Sequence, residues 1–132
     1  MLSPHFSRKE LACSHCGQLK VEANLLLALE SLRAMVHAPV IINCGYRCPA
    51  HNADPKVGGA LNSQHVLGRA ADVRVAGKTA RELYALAKDI PNVMGLGVSD
   101  HSQYLHLDVR ITDTCCQWCY NAAGKQVAWY EA

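Results

Sequence analysis

The stretch Ser63-Gln64-His65-Val66-Leu67-Gly68-Arg69-Ala70-Ala71-Asp72-Val73 decides how this chain is read. It sets a histidine and an aspartate seven positions apart, with Gly68, Ala70 and Ala71 between them. Far downstream, His106 sits in Leu105-His106-Leu107-Asp108-Val109-Arg110. Two imidazoles and one carboxylate are the donor set of a catalytic zinc, which keeps a fourth position open. Gly68 allows a sharp backbone turn between the first two donors, and Ala70 leaves room beside a metal. The pattern predicts His65 on a loop and Asp72 and His106 on neighbouring strands, a rigid three-donor face.

The flanking sequence supplies the frame. Ser7 with Glu10 three positions on forms a capping box for a short helix. From Val21 to Val36, the residues Leu25, Leu26, Leu29, Leu32, Met35 and Val36 recur at helical spacing, so an amphipathic helix covers a core. Pro39 ends it, and Val40-Ile41-Ile42 reads as a buried strand. Asn43 to Asn52 reads as a loop entering a short helix, and Asp54 to Asn62 as a polar, mobile segment. Thr79 caps a second helix that runs to Asp89 or Ile90, with Leu83, Leu86 and Ala87 inward. Met94 to Val98 is a short strand and Ser99 to Ser102 a turn. Ala71–Val75 and Leu105–Arg110 alternate: Asp72 and Arg74 share one face, as do His106, Asp108 and Arg110. A strand with three polar groups on one face shows that face to a cleft here. Gln126 to Tyr130 reads as an edge strand.

Composition narrows the class. With 132 residues, half of them apolar, and a net charge of +2, the chain is one soluble domain with no electrostatic case for nucleic acid. No apolar run approaches the roughly 20 residues of a membrane span. The first ten residues lack an apolar h-region, so synthesis in the cytoplasm without a signal peptide is expected. In such a reducing space the seven cysteines point to metal or free thiols before disulfides. Cys13 and Cys16, and Cys116 and Cys119, are each spaced like half of a tetrahedral thiolate site. Meeting on one side of the domain, the four would hold a second, structural zinc; free buried thiols are the alternative.

The Ser63, His65, Gly68, Ala70 and Asp72 pattern, followed by His106, resembles the zinc D-Ala-D-Ala carboxypeptidase family, with relatives among phage endolysins and hedgehog proteins. Gly45-Tyr46-Arg47 and Asn52 resemble that family's Gly-Tyr-Arg loop, and His106 to Arg110 its phage-type ending. The likeness runs from about Phe6 to Arg110, leaving a Cys-rich extension over 111–132. It implies an α+β fold: a small, mainly antiparallel sheet with helices packed on one side. It also implies zinc on His65, Asp72 and His106, with Arg47, Ser63 and Tyr104 contacting substrate. Many relatives carry a glutamate three residues before the last histidine, as general base; here that position is Gln103, which takes no proton. Asp100 and Asp108 are the candidates to replace it. The resemblance implies a monomeric zinc peptidase acting on peptidoglycan peptides after release to the cell wall. A non-catalytic zinc-containing binder, or a phage structural component of the same fold, is the alternative.

Overall fold

A computed structural model describes residues 1–55 and 63–130. Most of the stretch read as a mobile polar segment, Asp54 to Asn62, lies outside the described residues. Among the described residues, four helices and six strands follow one another as α1 (Arg8–Leu11), α2 (Ala23–Val36), β1 (Ile41–Cys44), α3 (Pro49–Ala53), β2 (Ala70–Arg74), α4 (Ala80–Ala87), β3 (Gly95–Ser99), β4 (Tyr104–Asp108), β5 (Cys116–Tyr120) and β6 (Gln126–Ala128). The strands form one sheet in the order β1-β2-β4-β3-β5-β6, antiparallel throughout except between β3 and β5. This is the expected α+β class. The Cys-rich extension is part of the sheet rather than an appendage, because β5 lies parallel to β3 and β6 turns back along it.

Local chemistry explains the element ends. The Ser7 hydroxyl accepts from the Glu10 N–H and the Glu10 carboxylate accepts from the Ser7 N–H, closing the capping box of α1. Thr79 and Glu82 do the same for α4. The start of α2 has no side-chain cap. Instead the Glu22 N–H donates to the Gly68 carbonyl, and the Glu22 carboxylate pairs with Arg69 at 3.1 Å. The first turn of this helix is thereby tied to the motif loop.

The core lies between the sheet and α2 and α4. Leu25, Leu29 and Leu32 of α2 and Leu83 of α4 pack with Val73, Leu96, Val98, Leu105 and Leu107 of the sheet. Each fully buried leucine of this kind contributes about 1.5–3 kcal/mol relative to exposure. With the odd-facing residues of β2 and β4 committed to the helices, Asp72, His106 and Asp108 must emerge on the opposite face. The strand read as buried is the sheet edge: Val40 is buried, but Ile41 is 39% exposed at the start of β1.

Candidate metal centre

Asp72 and His106 are direct cross-strand partners on β2 and β4, so their side chains rise side by side from one face. The loop before β2 returns His65 to them. Gly68 makes that return possible with φ +73, and a Cβ there would meet the Lys20 carbonyl oxygen at 2.7 Å. Asp72 Oδ1 lies 3.3 Å from His65 Nε2 and 3.0 Å from His106 Nδ1. Donors held about 2.0–2.1 Å from a tetrahedral zinc are about 3.3 Å apart, so these separations are those of two tetrahedron edges.

Tautomers decide whether the imidazoles can bind a metal. His65 Nδ1 lies 2.8 Å from the Gly45 carbonyl, an obligate acceptor, so Nδ1 keeps a proton and Nε2, facing Asp72, is the nitrogen left for a metal. His106 Nε2 lies 2.7 Å from Asp108 Oδ2, which fixes the proton there and leaves Nδ1 facing Asp72. Burial pulls both histidines toward neutrality, but hydrogen bonding and the Asp72 charge win, lifting His65 to about 10 and His106 above its ordinary value. Burial opposes ionisation of Asp72 too, yet His65 and His106 hold it well below the usual carboxylate range. Two proton-hungry imidazoles around one carboxylate are a cation site, and a metal would displace their protons. The donor set therefore fits zinc.

A thiol stands beside two of them: Cys44 Sγ, His65 and Asp72 have their ligand atoms within 4.8 Å of one another. A register shift between Ile42 and Cys44 puts Cys44 opposite Asp72, so this bulge aims the thiol at the site face. Burial would raise the Cys44 thiol, but His65 brings it below the ordinary value. Sequence reading missed this role; no local signal marks a bulge at Asn43.

The expected substrate residues divide. Arg47 reaches the site mouth, its Nη1 donating to Asn52 Oδ1 at 2.9 Å and its Nη2 lying 3.5 Å from Cys44 Sγ. A cleft of about 970 Å³ opens on the α1 side of this loop; Cys44 and Arg47 line it, but His65, Asp72 and His106 do not. Tyr104 stands on the site face of β4, and burial with the nearby Asp72 charge pushes its phenol up to about 12, so it remains a donor. Its ring packs on Tyr120 at 5.5 Å, and Trp118 packs on His106 at 5.2 Å. Trp118 and Tyr120 form a wall that the alternation in Cys116–Tyr120 could have revealed. Ser63 is buried and its hydroxyl accepts from the His65 N–H at 3.2 Å, a bond that braces its own loop.

Neither candidate base points into the site. Asp100 lies on the β3–β4 turn, and Arg81 of α4 grips it through Nε at 3.0 Å and Nη2 at 2.9 Å. That bond lies on the helix side of the sheet. Asp108 is fully buried behind His106 and held by Arg110 at 2.7–2.8 Å. It orients the imidazole rather than facing the open side of the donor set. Gln103 is spent on α4: its Oε1 accepts from the Ala80 N–H at 2.7 Å, and its Nε2 donates to the Asp100 carbonyl.

The four-thiolate set does not assemble. Cys13 and Cys16 gather with Cys48, whereas Cys116 and Cys119 lie on β5. Cys48 follows β1, and β5 is four strands away, about 19 Å at the usual strand spacing. Cys119 instead faces α4, with Arg81 Nη2 at 3.7 Å.

Comparison with known proteins agrees with this geometry. A zinc D-Ala-D-Ala carboxypeptidase of Streptomyces albus G is 35% identical over an alignment of 94 residues that covers 64% of this chain and 35% of that protein. The chain thus spans about a third of the length of this curated relative. The family model for Peptidase M15 matches residues 4–108, from the bridge before α1 to the last residue of β4. The chain belongs to the Peptidase M15 family.

Proposed function

We propose that this chain is a zinc peptidase domain that cleaves a peptide bond in peptidoglycan stem or cross-link peptides, as a carboxypeptidase or an endopeptidase. The convergence of His65 Nε2 and His106 Nδ1 on Asp72, both tautomers set for metal, carries the reading. The D-Ala-D-Ala substrate named for the relative supports the substrate class. Zinc held there supplies a Lewis acid for the scissile carbonyl and lowers the pKa of water. The planar fork of Arg47 suits a substrate carboxylate at the cleft mouth. The Tyr104 phenol, still protonated at neutral pH, donates a hydrogen bond toward developing negative charge. Trp118 and Tyr120 shield one side of the donor set from water. Such a domain suits phage or prophage lysis, acting as a monomer on the wall after release from the cytoplasm.

The test is digestion of purified peptidoglycan by the zinc-loaded protein, read as released D-Ala or new amino termini. Product is expected, with bound zinc and product both falling in His65→Ala. Zinc-loaded protein that yields nothing from any wall type sinks the peptidase reading.

A second reading, a non-catalytic zinc-containing binder of wall peptides, has its own observation. Asp100 is held by Arg81 and Asp108 by Arg110 and His106, and the Cys44 thiol lies beside His65 and Asp72 as a further soft donor. Cobalt substitution separates the two. A sulfur-to-cobalt charge-transfer component that Cys44→Ser removes, together with no hydrolysis, favours the binder.

A further inference from the structure

Three of the seven cysteines form a cluster that the His65–Asp72–His106 site does not use. The sulfurs of Cys13, Cys16 and Cys48 lie within 4.8 Å of one another, and all three are free thiols. Sulfurs on a tetrahedral zinc, at about 2.3 Å each, sit about 3.8 Å apart, within the reach of this cluster. A nitrogen stands at its edge: His15 Nδ1 is 3.7 Å from Cys48 Sγ, against about 3.6 Å for a nitrogen and a sulfur sharing zinc.

The backbone is already shaped for thiolates. Between Cys13 and Gln18 the chain makes a tight turn, with the Gly17 N–H on the Cys13 carbonyl at 2.8 Å and the Cys13 N–H on the Gln18 carbonyl at 2.7 Å. The Cys48 N–H donates to Cys13 Sγ, and the His51 N–H to Cys48 Sγ, each at 3.4 Å. Charge-assisted donors of this kind favour the anionic sulfur.

We propose that Cys13, Cys16 and Cys48 hold a second, thiolate-bound metal ion of the zinc class, with His15 at the edge of the cluster beside Cys48 Sγ. The ion would join the turn after α1 to the residue that follows Arg47, staples separated by 35 positions in the chain. The same loop carries the Gly45 carbonyl that fixes the His65 tautomer. The second ion is thus a clamp on the loop that serves the first site, and it stands independently of what that site does. Binding releases thiol protons and adds its free energy to folding.

Native mass spectrometry of protein purified under reducing conditions with Zn²⁺ tests the assignment. Wild type should carry two zinc ions. The double variant Cys44→Ser/His65→Ala should keep one, and its Co²⁺ form should show intense sulfur-to-cobalt charge transfer. Cys16→Ser, at an exposed position, should lose one ion and leave the other. Metal-free mass for the double variant, or a disulfide among Cys13, Cys16 and Cys48 in the reduced protein, overturns the proposal. Should the double variant not fold, ¹¹³Cd NMR of wild type decides. Two resonances, one in the sulfur-rich range, support the site, and a lone resonance outside that range refutes it.

Discussion

Replacing Asp108 by asparagine separates an orienting carboxylate from a proton acceptor. Asp108 accepts four hydrogen bonds: from His106 Nε2 at 2.7 Å, and from Arg110 through N at 3.1 Å, Nε at 2.8 Å and Nη2 at 2.7 Å. An asparagine of the same shape has one oxygen, so its amide must meet donors at two of these contacts. With the oxygen toward Arg110 N and Nε, the amide faces His106 Nε2. The imidazole then relieves the clash by shifting its proton to Nδ1, the atom that faces Asp72. With the oxygen toward His106, the bond survives but without its charge. Either way, the support for Nδ1 as a donor weakens. Partners of this kind contribute roughly 10–100-fold to metal affinity, or about 1.4–2.7 kcal/mol. Folding also suffers, though by less than the roughly 3–5 kcal/mol of a fully buried broken pair, because Arg110 is 25% exposed and keeps some water. Zinc affinity is read by competition with a chromogenic chelator, and stability by thermal unfolding of zinc-free protein. Affinity within threefold of wild type in a folded Asp108→Asn protein would refute the orienting role. Unchanged affinity with abolished peptide hydrolysis would return Asp108 to the place of the base.

Three further outcomes follow from the same geometry. Asp100→Asn should leave zinc content intact and lower stability by about 1 kcal/mol or less, since the Arg81 pair is bidentate but partly exposed. Arg81 holds Asp100 below its ordinary value, so this contribution is full above about pH 4 and fades as pH falls through the lowered pKa. Urea unfolding of both proteins between pH 2 and 7 should therefore converge at the acid end, and a constant gap would count against the pair. Gly95→Ala places a Cβ on the Asp108 carboxylate from the next strand. Overpacking there should cost about 1–3 kcal/mol and weaken zinc binding, and a neutral outcome in melting temperature would mean that Asp108 moves freely. Arg47→Lys loses the planar fork while keeping the charge. If Arg47 binds a substrate carboxylate, KM for a carboxylate-ended peptide should rise roughly tenfold, with zinc content unchanged, because a charge-assisted bond contributes about 1.5 kcal/mol or more.

What the sequence revealed, and what it did not, divides along physical lines. Period-two alternation in Leu105–Arg110 placed His106 and Asp108 on one face, and the fold agrees because a strand cannot present them otherwise. The capping box at Ser7 and the cap at Thr79 were equally legible, since each closes within four residues. The position of Cys44 was not, because it depends on a bulge against β2. The parallel pairing of β5 with β3 was hidden for the same reason: register with a distant strand is set by tertiary packing. Spacing correctly marked Cys13 and Cys16 as a pair, yet it said nothing about which distant thiol the sheet would bring to them.

The same division explains where the chemistry is strongest. Donor identity is local and survives in the motif, but donor readiness comes from groups remote in sequence. The Gly45 carbonyl sets the His65 proton from 20 positions away, and Asp72 holds His106 from 34. Gly45, Cys44 and Arg47 all belong to one short segment, and Cys48 ends it. A change that loosens this segment should therefore act on three things together: the His65 tautomer, the Cys44 thiol beside His65 and Asp72, and the Arg47 guanidinium. Cys48→Ser is that change. Its expected signature is a joint loss, with zinc at the His65 site weakened and Arg47 displaced, although residue 48 supplies no donor to that site. Weakened zinc binding at the His65 site, beyond the loss of any ion on Cys13 and Cys16, would identify the loop as the part that makes the motif competent. Unaltered affinity at the His65 site in a folded Cys48→Ser protein would show that β2 and β4 suffice.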